Sequence, residues 1–288
     1  MAKVIATDLD GTLFYPKKRL SMVDKKNRAF LKRFSESGGR ILISSSRSEQ
    51  FYAKMKEKLD FPVDFVGCDG TFVFCDGKKI FDKAFEVTSL KRLIADLRDH
   101  YDPPLMLLTT REAPLIMTKT KVSHWTNFVY FLYQSVQGVY REPVIRSDHF
   151  FYGAIEKGGA HKLMVLIGLT AKKKRLAEKI TDDLRRKYPE FEFMWLDQFI
   201  EITPKGCSKG AGVAFYLDYL GISHDNVMVV GDSGNDVSMF EAFYENSYCM
   251  DHAPESVRSK AKNVVSRVYE LESKLYPSVD SKKAEKEE

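Results

Sequence analysis

The chain has 288 residues, 44% hydrophobic and 30% charged, with 45 Lys and Arg against 40 Asp and Glu. That length and apolar content suit one large domain or two of ordinary size, and they exclude disorder over most of the chain. The net charge of +5 is diffuse, and its densest basic run, Lys172 to Arg175, reads as the solvated face of a helix, so neither a nucleic-acid nor a membrane partner is expected.

The opening M-A-K-V-I-A-T-D carries no signal-peptide pattern, and no apolar run of about 18 residues occurs. Cys68, Cys75, Cys207 and Cys249 have no C-x-x-C spacing, which predicts free thiols and a cytoplasmic setting. Composition goes no further than an enzyme or a binding module.

Lys3–Thr7 reads as a buried strand running into Asp-Leu-Asp-Gly-Thr. Ser21 with Asp24 resembles a capping box and opens a helix to about Ser37. Arg40–Ser44 is a second strand, 48–59 a helix and Asp64–Cys68 a third strand, the rhythm of a parallel sheet flanked by helices. Thr71–Cys75 and Lys79–Asp82 form a hairpin across Asp76-Gly77. The rhythm turns irregular from Ala84 to Asp197 and then resumes, with a helix over Ser208–Leu220, a strand over Val227–Val230 and a helix over Asp236–Phe243. The polar end, from about residue 277, is expected to be disordered.

Asp8 and Asp10, two apart at a strand end, are expected to project from one face. Carboxylates that close repel by a few kcal/mol at an effective dielectric of about 20 and call for a shared proton or a cation. Gly231-Asp232-Ser233-Gly234-Asn235-Asp236 follows the strand V-M-V-V and adds two more acids. Hard oxygen ligands of this kind suit Mg²⁺. Either cluster alone could be an ordinary capped turn; together, at the carboxyl ends of parallel strands, they lie where open α/β sheets bind ligands.

These segments resemble the haloacid dehalogenase superfamily of phosphatases, in its Cof-like subfamily with a class IIB cap. V-I-A-T-D-L-D-G-T-L supplies the first motif and I-L-I-S-S-S-R the second, with Ser45 at the hydroxyl position. Lys209 in T-P-K-G-C-S-K-G supplies the third, and G-D-S-G-N-D the fourth. The resemblance implies a Rossmann-like α/β core of residues 1–83 and 198–288 with an inserted α+β cap over 84–197. It implies Asp8 as nucleophile and Asp10 as general acid and base. Asp8, Asp10, Asp232 and Asp236 would surround Mg²⁺, and Ser45, Arg47, Lys209 and Asn235 would hold the substrate. Taken singly, Ser45 could be a strand-end hydrogen-bonder, Lys209 an exposed lysine and Arg47 a surface charge.

The expected substrate is a small phosphate ester, with sugar phosphates as the default, handled by a monomer or homodimer. A phosphosugar mutase and a non-catalytic sugar-phosphate sensor are the alternatives. Three segments depart from the common family pattern: Ser44-Ser45-Ser46, Asp69-Gly70-Thr71 and Asp251-His252. In the cap, Trp125, Phe128, Tyr130, Phe131, Tyr133, Tyr140, Phe150, Phe151 and Tyr152 read as cap core or a dimer face, and His124, His149 and His161 as surface or structural residues.

Overall fold

The computed structural model describes residues 2–16, 23–113, 115–128, 142–168, 170–196 and 199–275. Its strands in chain order are β1 (Val4–Thr7), β2 (Arg40–Ser44), β3 (Asp64–Gly67), β4 (Phe72–Cys75) and β5 (Lys78–Asp82). Six follow: β6 (Leu105–Thr110), β7 (Leu115–Met117), β8 (Val144–Arg146), β9 (Ala160–Leu166), β10 (Phe191–Leu196) and β11 (Phe199–Pro204). Three close the series: β12 (Val227–Gly231), β13 (Ser247–Met250) and β14 (Asn263–Val265).

They form two sheets. The first has eight strands in the order β14-β13-β12-β1-β2-β3-β4-β5. It is parallel from β14 to β3, and the hairpin β4–β5 extends it antiparallel. Its inner strands are apolar throughout because helices cover both faces. Ile5, Ile41 and Ile43 pack with Phe30, Leu31 and Phe51 on one side, while Val4, Ala6 and Leu42 pack with Val213, Tyr216 and Leu217 on the other.

The second sheet has six strands in the order β10-β11-β9-β6-β7-β8, antiparallel except for β7–β8. Its strands alternate. Met106, Leu108, Leu163, Val165, Ile200 and Ile202 pack with Leu93, Leu97, Ile180 and Leu184 of two covering helices. The intervening residues of β6, β9 and β11 face the other way.

Three expectations need correction. β11 belongs to the six-stranded sheet, so the boundary expected between 197 and 198 moves past Pro204; Phe199–Pro204 pairs antiparallel with β10 rather than starting a core strand. The first helix is Lys25–Glu36 and Asp24 is its N-cap, accepting from the Lys26 N–H at 3.0 Å; Ser21 lies outside the described residues. β1 ends at Thr7, and 9–13 form a tight turn in which Gly11 takes φ +92°. Asp8 and Asp10 are therefore not paired on one strand face.

Of the aromatics, Phe151 is buried, whereas Trp125, Phe128, Phe150 and Tyr152 are exposed. Tyr130, Phe131, Tyr133 and Tyr140 lie outside the described residues. His124 and His149 are exposed, and buried His161 meets Asp82 at 2.6 Å. All four cysteines are free and buried.

Candidate active site

The carboxyl ends of β1, β2 and β12 meet the start of the helix Lys209–Leu220. Ser208 caps that helix by accepting from the Ala211 N–H, which fixes Lys209 in the first turn with its side chain running inward. Lys209 is 1% exposed. Its Nζ lies 2.7 Å from Asp8 Oδ1 and 2.6 Å from Asp236 Oδ1. Burial works against its charge, but Asp236 and Asp8 outweigh that and hold its pKa above the usual range. Burial also raises the Asp8 pKa well above the ordinary carboxyl value, with Asp236 and Asp232 adding to the rise and Lys209 opposing it.

Asp236 is held rigidly. Its Oδ2 accepts the backbone N–H groups of Asp232 and Ser233, each at 2.9 Å. Asp232 Oδ1 accepts from the Thr12 hydroxyl at 2.7 Å. Gly11 is required here, because a Cβ on it would sit 2.2 Å from Asp232 Oδ2 in addition to the strain of its positive φ. Ligand oxygens of Asp8, Asp232 and Asp236 all lie within 4.8 Å of one another. Three carboxylates against one ammonium leave excess negative charge in a buried place, and burial raises the Asp232 pKa as well. Asp236 has both oxygens engaged, whereas Asp8 Oδ2 and Asp232 Oδ2 accept no hydrogen bond from the described residues. The donor set fits a hard divalent cation on those two oxygens, with Asp236 behind them.

Asp10 sits elsewhere in the site. Arg47 grips it with Nε at 2.8 Å and Nη2 at 2.9 Å, a two-point fork. Arg47 Nη1 reaches Glu142 at 3.0 Å, and Ser48 Oγ donates to the same carboxylate at 2.5 Å. Ser45 is buried at the end of β2, where its Oγ accepts the Arg47 N–H at 3.2 Å and its carbonyl accepts the Asp69 N–H at 3.3 Å. Asn235 Nδ2 donates to Ser46 Oγ at 2.7 Å and to Asp69 Oδ1 at 3.1 Å.

Sequence reasoning missed Lys162, Glu142 and Glu201, and it marked Asp69 and His252 only as departures from the family pattern. Asp69, in a left-handed backbone conformation, accepts from Ser46 at 2.6 Å and from Lys162 Nζ at 3.0 Å. Lys162 comes from β9 in the other sheet and also donates to the Ser46 carbonyl at 3.1 Å. A lysine in the middle of the apolar run A-H-K-L-M-V-L was the signal for it. Burial opposes the Asp69 charge, but Lys162 and then Lys209 bring its pKa below the usual value. Glu201 on β11 is also buried, 3.7 Å from Lys162. His252, from one departing segment, stacks on Tyr15 at 4.0 Å with Nε2 3.8 Å from Asp232 Oδ2.

A parallel sheet with this carboxylate and lysine cluster at its carboxyl edge, crowned by a second sheet, defines the haloacid dehalogenase type of hydrolase. The sequence profile of the haloacid dehalogenase-like hydrolases matches residues 5–272, and the chain belongs to that family.

Among its relatives, the pyridoxal phosphate phosphatase YbhA of Escherichia coli is 26% identical, over 91% of this chain and 93% of its own. The 5-amino-6-(5-phospho-D-ribitylamino)uracil phosphatase YcsE of Bacillus subtilis is 23% identical, over 83% of this chain and 80% of its own. Two solved structures share the fold. SMU.1108c from Streptococcus mutans superimposes with a TM-score of 0.77 at 22% identity, covering 96% of this chain and all of that one. The HAD subclass IIB sugar phosphatase BT4131 gives 0.70 at 17% identity, covering 95% and 98%. No helix among the described residues is long and apolar enough to cross a membrane.

Proposed function

We propose that the chain is a Mg²⁺-dependent phosphatase that hydrolyses small phosphate monoesters through an aspartyl-phosphate on Asp8. The observation that carries this reading is the buried Lys209 bridging Asp8 and Asp236, with Asp232 completing a charge-rich pocket at the sheet's carboxyl edge. The named phosphatases among the relatives support it.

Lys209 donates to Asp8 and holds its carboxylate in place; one carboxylate oxygen attacks phosphorus as the bond to the ester oxygen breaks, and the other stays on the cation side. Asp10 delivers a proton to that departing oxygen. It then takes one from the water that attacks the acyl-phosphate, releasing inorganic phosphate and restoring Asp8. Asp8 and Asp232 would hold Mg²⁺, which when bound neutralises the carboxylates and polarises the phosphoryl oxygens. Arg47 must release Asp10 for proton transfer, and its fork matches a pair of phosphoryl oxygens. The Ser45 hydroxyl and Asn235 complete the phosphoryl cradle. Residues 84–204 act as the cap that shuts water out during transfer.

Steady-state release of phosphate from a panel of phosphomonoesters with Mg²⁺ tests this. Asp8→Asn is expected to lose at least about 10³-fold in kcat while keeping its fold. Absence of turnover with every ester, or an undiminished rate in Asp8→Asn, would overturn the reading.

A further inference from the structure

A cavity of about 550 Å³ lies on the helix-covered face of the six-stranded sheet, between its β7–β8 edge and the helix Asp148–Lys157. It does not open on the reaction centre. Ile116 lines it, whereas Leu115 and Met117, its neighbours on β7, point to the opposite face. That opposite face is the one from which Lys162 reaches Asp69. The lining shares no residue with the proposed phosphoryl site.

The helix presents one stripe to the cavity: His149, Phe150, Gly153, Ala154 and Lys157. The adjacent stripe, Phe151 and Ile155, is buried on the sheet. Gly153 and Ala154 leave the middle of the lining stripe without bulk. A Cβ at Gly153 would meet no atom within 4 Å, so no close approach requires glycine there. Glycine weakens a helix interior, and the opening is kept against that local preference. The floor is apolar, with Ala113 and Ile116 buried and Ile145 half-buried. Phe150 stands at the rim, 58% exposed.

Charge is confined to the rim, in Arg111, Lys157, His149 and the single acid Glu112. Lys157 and Glu112 stand 3.6 Å apart, both largely in solvent, and such a pair holds weakly. Arg111 spans from the rim to the first sheet, with Nε 3.0 Å from Asp82 Oδ2 at the end of β5. Asp82 does not depend on it, since His161 at 2.6 Å and Lys79 at 3.3 Å serve the same carboxylate. The backbone beneath Arg111 is pinned. Its N–H donates to the Gly159 carbonyl at 3.2 Å, and its carbonyl accepts from Gln50 Nε2 at 2.7 Å. The half-exposed guanidinium can therefore turn into the cavity while the wall stays in place.

We propose that this cavity is a second binding site, for a small organic anion with an apolar body of one or two rings and a single acidic group. The rings cover Ile116 and Ile145 beside Phe150, and the acidic group lies between Arg111 and Lys157 at the wet rim, where its desolvation is slight. The volume is that of an ordinary ligand site. A polyanion fits poorly, because Glu112 shares the rim with only two permanent cations. Binding draws Arg111 from Asp82, so occupancy of the site and one tie between the two sheets are linked reciprocally.

Fluorescence titration with 8-anilinonaphthalene-1-sulfonate tests this, beside N-phenyl-1-naphthylamine, which has the same rings and no acidic group. The wild type is expected to hold the sulfonate about tenfold more tightly than the neutral dye. Gly153→Leu fills the cavity and should weaken the sulfonate dye by about tenfold or more. Leucine favours the helix, so the melting temperature of this variant should hold or rise, which separates lost binding from lost folding. Arg111→Met should bring the two dyes to within about threefold of each other. Asp82→Asn, which releases Arg111, should tighten the sulfonate dye by about two- to fivefold and leave the neutral dye unchanged. Absence of binding, equal affinity for the two dyes in the wild type, or an affinity that Gly153→Leu does not alter overturns the proposal. Displacement of the dye by inorganic phosphate would place it at the reaction centre and overturns it as well. Unchanged affinity in Asp82→Asn overturns the link to the joint between the sheets.

Discussion

Lys209 is the residue on which the acidic cluster depends electrostatically. It is enclosed with Asp8 and Asp236, and neither carboxylate meets another cationic side chain among the described residues at salt-bridge distance. Removing one member of a buried charge set leaves the others uncompensated, at a cost of about 3–5 kcal/mol. Lys209→Met should therefore lower the melting temperature by roughly 5–15 °C in metal-free buffer, as read by calorimetry, as well as abolishing turnover. Glu201 carries a pH dependence of known sign. Its ordinary pKa of 4.5 is raised to about 7 in the folded chain. Between those values the folded form keeps a proton that the unfolded chain has released, so its contribution to stability is full below pH 4.5 and is lost as pH rises through 7. Subtracting the melting profile of Glu201→Gln from that of the wild type should expose this loss between pH 5 and 8 as a wild-type deficit that grows with pH.

At the scale of elements, the two sheets are joined through side chains rather than a shared apolar core at the site. Lys162 reaches from β9 to Asp69, and Glu142 reaches to Arg47 and Ser48. Lys162→Met would strand the Asp69 carboxylate in a buried place and take a donor from the Ser46 carbonyl. Trypsin cleavage near Lys83 and Lys205, where the chain passes between the sheets, should then quicken by about tenfold as local opening becomes easier. Undiminished resistance would show that the apolar contacts alone hold the sheets together.

The legibility of these elements in the sequence follows the same division. Asp8, Asp232, Asp236 and Lys209 were readable because each follows a strand or cap signal that fixes its place locally. Lys162, Glu142 and Glu201 were not, since their significance arises from pairing across long sequence distances, and Asp69 stood out only as a departure from the family pattern. The strand-face argument for Asp8 and Asp10 failed because the positive φ of Gly11 turns the chain immediately after β1. The boundary at 197 failed because β11 alternates like a strand of either sheet, and only its partners β10 and β9 decide.

For the whole molecule, cation binding and folding should be linked. The oxygens of Asp8 and Asp232 repel in the metal-free form, so a divalent cation held between them would favour the folded chain. At one hundred times its dissociation constant the ion should add about 2.7 kcal/mol, visible as a rise in melting temperature. Asp232→Asn, which removes a ligand charge and leaves Thr12 a partner, should abolish most of that rise. An equal rise in both proteins would mean that the ion binds elsewhere.

The order of the eight-stranded sheet has a further consequence during synthesis. Val4 in β1 pairs with Arg40 on one side but with Val227 on the other. One edge of the strand that ends at Asp8 therefore stays unclosed until about 220 more residues have been made, on the order of 10–45 s of elongation. All strands of the six-stranded sheet are complete before that moment. An emerging chain thus carries a finished lid over a half-built floor, with an apolar strand edge open to wrong partners. The hazard of making this protein is set by the distance between two halves of one catalytic sheet.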